Sequence, residues 1–338
     1  MQFNKFLFSI SMMIGTLISI SSYSWMGMWL GLEINLLSII PLMSSTKNLL
    51  ASEAAMKYFI TQAMASTILL FVIIIMSLNS TMIFMESSSI LILFLNTSLF
   101  LKMGAAPFHF WFPEIIEGLS WNNTLIMLTW QKIAPMMLIS YCILNMTYMM
   151  LIIIMSTIIS GIMGINQISL RKILTYSSIN HISWMLCSMM YFENMWMLYF
   201  IIYSIISFNI IIIFKKFNTY FINQLYSILN SQPMIKFFFM LNFLSLGGLP
   251  PFLGFLPKWL TIQVMIENNF IMIPLTVIIM TLMTLFFYLR ITLMAFTMAN
   301  SKLSFINNNY FMNFYYIYFI NFISITSLIL ISILFNYS

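Results

Sequence analysis

Four ionisable residues stand where an apolar chain should hold no charge. Glu33 lies in the middle of GLEINLLSIIP, Lys102 follows a wholly apolar run, Lys132 lies inside LTWQKIAP, and Lys258 closes GLPPFLGFLPK. An ionisable group at the centre of a membrane helix costs roughly 2.5–3.5 kcal/mol on insertion scales, so it reads as functional by default. A carboxylate and three lysines can each hold a proton and hand it on. One buried ion pair would not account for three lysines, so the set reads as a proton path. The plainer reading is structural. Lysines near a helix end can snorkel to the interface, and Glu33 could be a counter-charge only. Snorkelling fits Lys57 and Arg290, but it fits Lys102 and Lys132 poorly, since each lies well inside its run.

Two of the lysines flank a repeated string. GAAPFHFWFPE runs from Gly104 to Glu114, and GLPPFLGFLPK runs from Gly248 to Lys258. Gly104 and Gly248, Pro107 and Pro251, Phe108 and Phe252, and Pro113 and Pro257 match at a constant separation of 144 residues. Proline removes a helix hydrogen bond and glycine admits non-helical backbone. Each string should therefore be a broken helix, with Gly104, Pro107, Gly248, Pro250 and Pro251 at the breaks. Broken backbone at membrane depth survives only where protein buries it or where it lines a wet cavity. Paired interrupted segments in two halves are a mark of transporters. An odd number of spans separates the breaks, so the halves should be inverted copies. Two unrelated proline kinks are the plainer alternative.

His181 is a secondary candidate for the path. Ser177 and Ser178 lie one turn before it and Ser188 two turns after, on roughly one face. Such a stripe could hold water, and a hydrogen-bonded core histidine explains it equally well. His109 beside the first break could simply bond freed carbonyls there. The two histidines and two cysteines fit no haem or iron–sulfur spacing. No phosphate loop or dinucleotide fingerprint occurs, and Cys142 and Cys187 form no C-x-x-C pair. No metal site is expected, and no redox chemistry in this chain alone.

The elements that position these residues must be membrane helices. The 338 residues are 62% hydrophobic and 6% charged, against about 25% charged in soluble domains. A span needs roughly 20 mostly apolar residues. Breaks at polar clusters, Gly and Pro place spans near 3–23, 25–44, 57–78, 88–118, 124–144, 147–166, 172–191, 195–214, 235–267, 270–294 and 313–335. The expectation is an all-α polytopic bundle of about eleven spans in a single domain. The first repeat unit covers about 1–145, the second about 147–299, and a C-terminal helix about 313–335. The first apolar run lacks a small-residue cleavage site and reads as an uncleaved helix.

The loop charges then sort cleanly. Lys5, Lys47, Lys57, Arg171, Lys172, Lys215, Lys216, Lys236, Arg290 and Lys302 fall on the N-terminal side. The other side receives Glu86, Glu193 and Glu267. Glu114 and Glu117 are exceptions. The positive-inside rule puts the N-terminus inside and, with an odd count, the C-terminus outside. The net charge of +6 is thus a topology signal, and nucleic acid is not implied.

The strings GLEINLLSIIP, EAAMKYFITQA, KMGAAPFHFWFPE, LTWQKIAP, NQISLRKILTYSSINH and NFLSLGGLPPFLGFLPKW run in order from Gly31 to Trp259, and FFYLR ends at Arg290. Together they resemble the antiporter-like membrane subunits of respiratory complex I (NADH:ubiquinone oxidoreductase), in a mitochondrial, arthropod-like form. The resemblance covers essentially the whole chain. It implies two inverted five-helix units, each with one broken helix, in the mitochondrial inner membrane, with the N-terminus in the matrix and the C-terminus in the intermembrane space. It carries the proton-path roles onto Glu33 (paired with a lysine), Lys102, Lys132 and Lys258. Expected partners are other complex I membrane subunits, antiporter-like neighbours among them, a lateral helix from one of them, and phospholipids. NADH, FMN, iron–sulfur clusters and ubiquinone are expected in other subunits, with no cofactor on this chain.

Two further readings stay open. A stand-alone cation/proton antiporter shares the repeat and the buried charges, yet it should hold further buried carboxylates for a second ion. A structural scaffold would use the charges only to hold helices together.

Overall fold

The computed structural model describes residues 2–45, 48–79, 85–143, 145–192, 194–229, 233–297 and 321–322. The expected helix near 313–335 lies outside them, as do Lys47, Glu193 and Lys302. Among the described residues the secondary structure is helical, with one isolated bridge between Ser169 and Phe221. The chain forms two compact units, Met1–Ser156 and Thr157–Ser338.

In the first unit, α1 (Gln2–Ser21) packs along α2 (Trp25–Met43). Two glycines make that approach close: a Cβ on Gly31 would come within 2.8 Å of the Gly15 carbonyl oxygen. The long α3 (Leu49–Asn79) packs on α2, on α4 (Met85–Met103) and on the short α5 (Trp111–Gly118). Then come α6 (Trp121–Leu128) and α7 (Trp130–Ser140), and α7 packs on α4. α8 (Met146–Ile165) leads into the second unit.

In the second unit α9 (Leu170–Met189) is buried at every position from Ile173 to Met189. A helix enclosed on all faces is a core helix, whatever its polarity. α10 (Met195–Phe217), α13 (Phe255–Glu267) and α14 (Met272–Thr297) pack on α9. α11 (Ile222–Leu229) is a short helix, and α12 (Pro233–Gly247) packs on α10 and α14. The segments flanking α9 and α10 meet through Leu170 N–H to the Tyr220 carbonyl, 2.9 Å, and Ile222 N–H to the Ile168 carbonyl, 3.3 Å.

Among the described residues six helices are long and apolar enough to cross a membrane unbroken: α1, α2, α3, α8, α10 and α14. The other expected spans differ for local reasons. Those near 88–118 and 235–267 are each cut in two, as the Gly–Pro strings require. The span near 124–144 is cut at Thr129, which the sequence did not signal. α9 has the length, but serines, Asn180 and His181 dilute its apolar character. α3 also begins earlier than expected, at Leu49, and Glu53 and Lys57 pair within its polar start.

The two breaks share one backbone design. Gly104 and Gly248 have φ of +72° and +75°. Gly104 N–H donates to the Leu101 carbonyl at 3.2 Å and Ala105 N–H to the Phe100 carbonyl at 3.1 Å. At the same separation of 144 residues, Gly248 N–H donates to Ser245 at 3.0 Å and Leu249 N–H to Leu244 at 3.3 Å. This is a Schellman ending, in which a left-handed glycine lets the last carbonyls of a helix find donors. Ala106–Pro107 and Pro250–Pro251 are cis peptide bonds. Helix resumes at Trp111 and at Phe255.

Candidate functional site

Lys102 stands in the last turn of α4, just before the first break. Its side chain is buried. The helix C-terminus beside it carries partial negative charge from carbonyls that lack helical donors, which suits a cation. The Leu101 carbonyl also accepts from Trp111 Nε1 at 3.1 Å, so α5 is fastened back onto α4 across the break.

Lys102 lines a small cavity with Leu32, Asn35 and Leu36 of α2, Tyr58 and Gln62 of α3, and Gln131 and Pro135 of α7. The cavity has room for about 20 Å³, and a water needs roughly 10–15 Å³. Its polar lining is mutually bonded. Asn35 Nδ2 donates to Gln131 Oε1 at 2.9 Å, and Gln131 Nε2 donates back to Asn35 Oδ1 at 3.0 Å. The Tyr58 hydroxyl reaches Gln131 Oε1 at 3.4 Å, and Gln62 Nε2 reaches the Lys102 carbonyl at 3.4 Å. These four residues were not singled out from sequence. The available signal was their presence in apolar runs, but an uncharged side chain there is weak evidence.

Glu33 is half-buried on α2. It lies within electrostatic reach of Lys102, and the two form no salt bridge among the described residues. The expected charge pair is therefore a through-space relation here. α2 turns Asn35 and Leu36 toward the lysine and leaves Glu33 to one side.

Lys132 is buried deeper, 1% exposed. Its Nζ sits 5.7 Å from the centroid of the Phe112 ring, within the range of a cation–π contact. Phe112 also backs Gly104, where an added Cβ would meet it at 3.2 Å. One aromatic residue of α5 thus touches both the first break and the lysine of α7. Pro135 brings no N–H to the Gln131 carbonyl four residues earlier, which loosens the helix beside the cavity.

In the second unit Lys258 is buried in the first turn of α13 and reaches back to the break. Its Nζ donates to the Gly247 carbonyl at 2.8 Å and lies 5.7 Å from the Trp184 ring of α9. One turn from Trp184, His181 Nδ1 is 2.9 Å from the Tyr199 hydroxyl, and its ring packs on Tyr203 at 4.8 Å. Ser177 and Ser178 donate to Leu174 and Thr175 of their own helix, at 2.8 and 2.6 Å. The serine stripe is thus locally satisfied. Asn180 links α9 to Thr284 of α14 at 3.3 Å.

The breaks differ in cover. Pro107 is half-buried, whereas Pro250 and Pro251 are exposed in the chain by itself. His109 is buried, with Nδ1 3.3 Å from the Pro107 carbonyl, so it bonds to the break as the plainer reading held. Lys57 pairs with Glu53 at 3.1 Å and Glu114 at 3.0 Å on an exposed surface. That accounts for Glu114, an exception in the charge sorting. Arg290 donates to the Gln167 carbonyl at 3.2 Å. Among the described residues no group of His, Cys, Asp or Glu could hold a metal ion.

The family described as NADH:quinone oxidoreductase/Mrp antiporter, transmembrane, matches residues 22–284. The chain is 50% identical over 336 residues to NADH-ubiquinone oxidoreductase chain 2 of Anopheles gambiae, covering 97% of each. It is 48% identical over 304 residues to that of Locusta migratoria, covering 90% of this chain and 89% of the relative. In fold it is similar to a chain of respiratory complex I from Thermus thermophilus, with a TM-score of 0.81 at 22% identity, over 87% of this chain and 71% of the other. A chain of the Mrp complex from Dietzia is similar with a TM-score of 0.72 at 15% identity, over 84% of this chain and 59% of the other.

Proposed function

Since the chain belongs to the NADH:quinone oxidoreductase/Mrp antiporter transmembrane family, we propose that its buried lysines carry protons across the membrane while other subunits carry electrons. The chain is a multi-pass membrane subunit of proton-pumping NADH:ubiquinone oxidoreductase, complex I, of the mitochondrial inner membrane. The observation that carries this is identity of 50% along 97% of the mosquito relative.

The path runs through Glu33, Lys102 and Lys132 in the first unit and Lys258 in the second. Each lysine is buried; Lys102 stands in the last turn of α4, and Lys258, in the first turn of α13, reaches the C-terminal end of α12 with its Nζ. A fixed helix dipole there can hold a cation without a permanent carboxylate partner. Glu33, in reach of Lys102 but not bonded to it, can change the balance when it moves. Moving one charge against the membrane potential costs about 2.3 kcal/mol per 100 mV. Exchanging a lysine between wet and dry surroundings is worth energies of that order. His181, with Tyr199, extends the path on the side of Lys258.

The N-terminus faces the matrix and the C-terminus the intermembrane space, and the repeat units, about 1–145 and about 147–299, are inverted copies within one domain. Antiporter-like neighbours, a lateral helix and phospholipids cover the exposed apolar faces. NADH, FMN, iron–sulfur clusters and ubiquinone belong to other subunits. Purification of the tagged chain from detergent-solubilised mitochondria tests the assignment. It should emerge in a large assembly that oxidises NADH, and recovery as a free protein that exchanges cations for protons in liposomes would overturn it.

A further inference from the structure

Two residues that line the cavity beside Lys102 are amides that satisfy one another. Asn35 is buried, and it exchanges both of its hydrogen bonds with Gln131 at 2.9 and 3.0 Å. Asn35 stands two residues after Glu33 on α2, and Gln131 stands one residue before Lys132 on α7. The pair therefore joins the helix of the carboxylate to the helix of the second lysine, across the space that holds the first lysine. An amide is donor and acceptor at once. Two amides that part can each exchange the lost bonds for bonds to water, at little net cost. A carboxylate or an ammonium in the same place could not do this without changing the charge of the site.

We infer that Asn35 and Gln131 are positioning residues that gate water between Lys102 and Lys132. With the pair bonded as seen here, the cavity has about 20 Å³, room for a water or so. Parted, they open it along the face of α7. Tyr58, 3.4 Å from Gln131 Oε1, offers that oxygen a second donor while the pair is open. Pro135, which also lines the cavity, leaves α7 free to flex at this point.

This inference rests on the proton-path reading above, and the test separates the two. Protons pumped per NADH oxidised are measured in membranes carrying Asn35→Leu, Gln131→Leu, the exchanged pair Asn35→Gln with Gln131→Asn, Gln131→Glu, and Lys132→Met. The single leucine variants should lower the ratio by at least half as much as Lys132→Met does, and the exchanged pair should restore it. Gln131→Glu should add a new titrating limb to the pH profile of pumping, because it sets a carboxylate in the cavity with Lys102. A purely structural pair would lower assembly and leave the proton ratio of the assembled complex unchanged. Assembled leucine variants with an unchanged ratio would overturn the gate. If the leucine variants do not assemble, Gln131→Glu decides, and an unaltered pH profile overturns it. A normal ratio in Lys132→Met would instead sink the proton path itself.

Discussion

Lys258 donates its Nζ to the Gly247 carbonyl at 2.8 Å, so the side chain that starts α13 ties down the end of α12. The lysine is both the charge and the clasp of the second break. Its aliphatic stem fills the space beside Gly248, where an added Cβ would meet Lys258 Cδ at 2.7 Å. Replacing Lys258 with Met should leave the Gly247 carbonyl short of a donor, a cost of about 1–3 kcal/mol. Lower abundance of the assembled complex and a lower unfolding temperature would show it. Unchanged stability would mean that the carbonyl finds another donor.

Lys132→Met should assemble and pump poorly. Burying a charge is costly, and a methionine of similar size removes that cost, so loss of the complex is not expected. Lys132→Arg should also fail, because arginine keeps its proton at physiological pH. The measurement is proton stoichiometry alongside NADH oxidation in membranes. Pumping by the arginine variant at the native ratio would show that Lys132 acts only as a fixed charge.

Glu33→Gln should leave assembly intact, since no salt bridge to Lys102 is broken. It should alter the pH dependence of pumping, because the opposite charge in reach of Lys102 is lost. A pumping profile that superimposes on wild type would place Glu33 outside the path.

Gly104→Ala and Gly248→Ala should each destabilise by about 1–2 kcal/mol, the cost of holding an L-residue in the left-handed region. Gly254→Ala should be worse, because a Cβ there would overlap the Ser245 carbonyl of α12. Thermal unfolding of the purified complex ranks the three. Equal tolerance at all three would mean that the breaks relax.

A tag at the N-terminus should be protected from protease in intact mitoplasts, and one at the C-terminus should be cut. This follows from the one-sided distribution of Lys and Arg. Cleavage of both tags from the same side would show that the odd span count is wrong.

The amino-acid sequence by itself determined the solvent, the helices and the places where they break. A chain with 6% charged residues has too few charges for a water-facing surface. Gly and Pro in register mark the breaks because their backbone constraints are local. The isolated lysines were legible for the same reason: a charge in an apolar run is costly wherever its neighbours lie. Tertiary structure decided the rest. Only packing of α2, α3, α4 and α7 brings Asn35, Tyr58, Gln62 and Gln131 around Lys102. Neutral polar residues carry little cost alone in a sequence, and their role exists only once a partner is opposite. Likewise Glu33 and Lys102 could be named from sequence as a pair of opposite charges. Their separation depends on which face α2 turns inward, and that is decided only by how α2 packs against its neighbours, α1 among them, which it meets closely at Gly15 and Gly31.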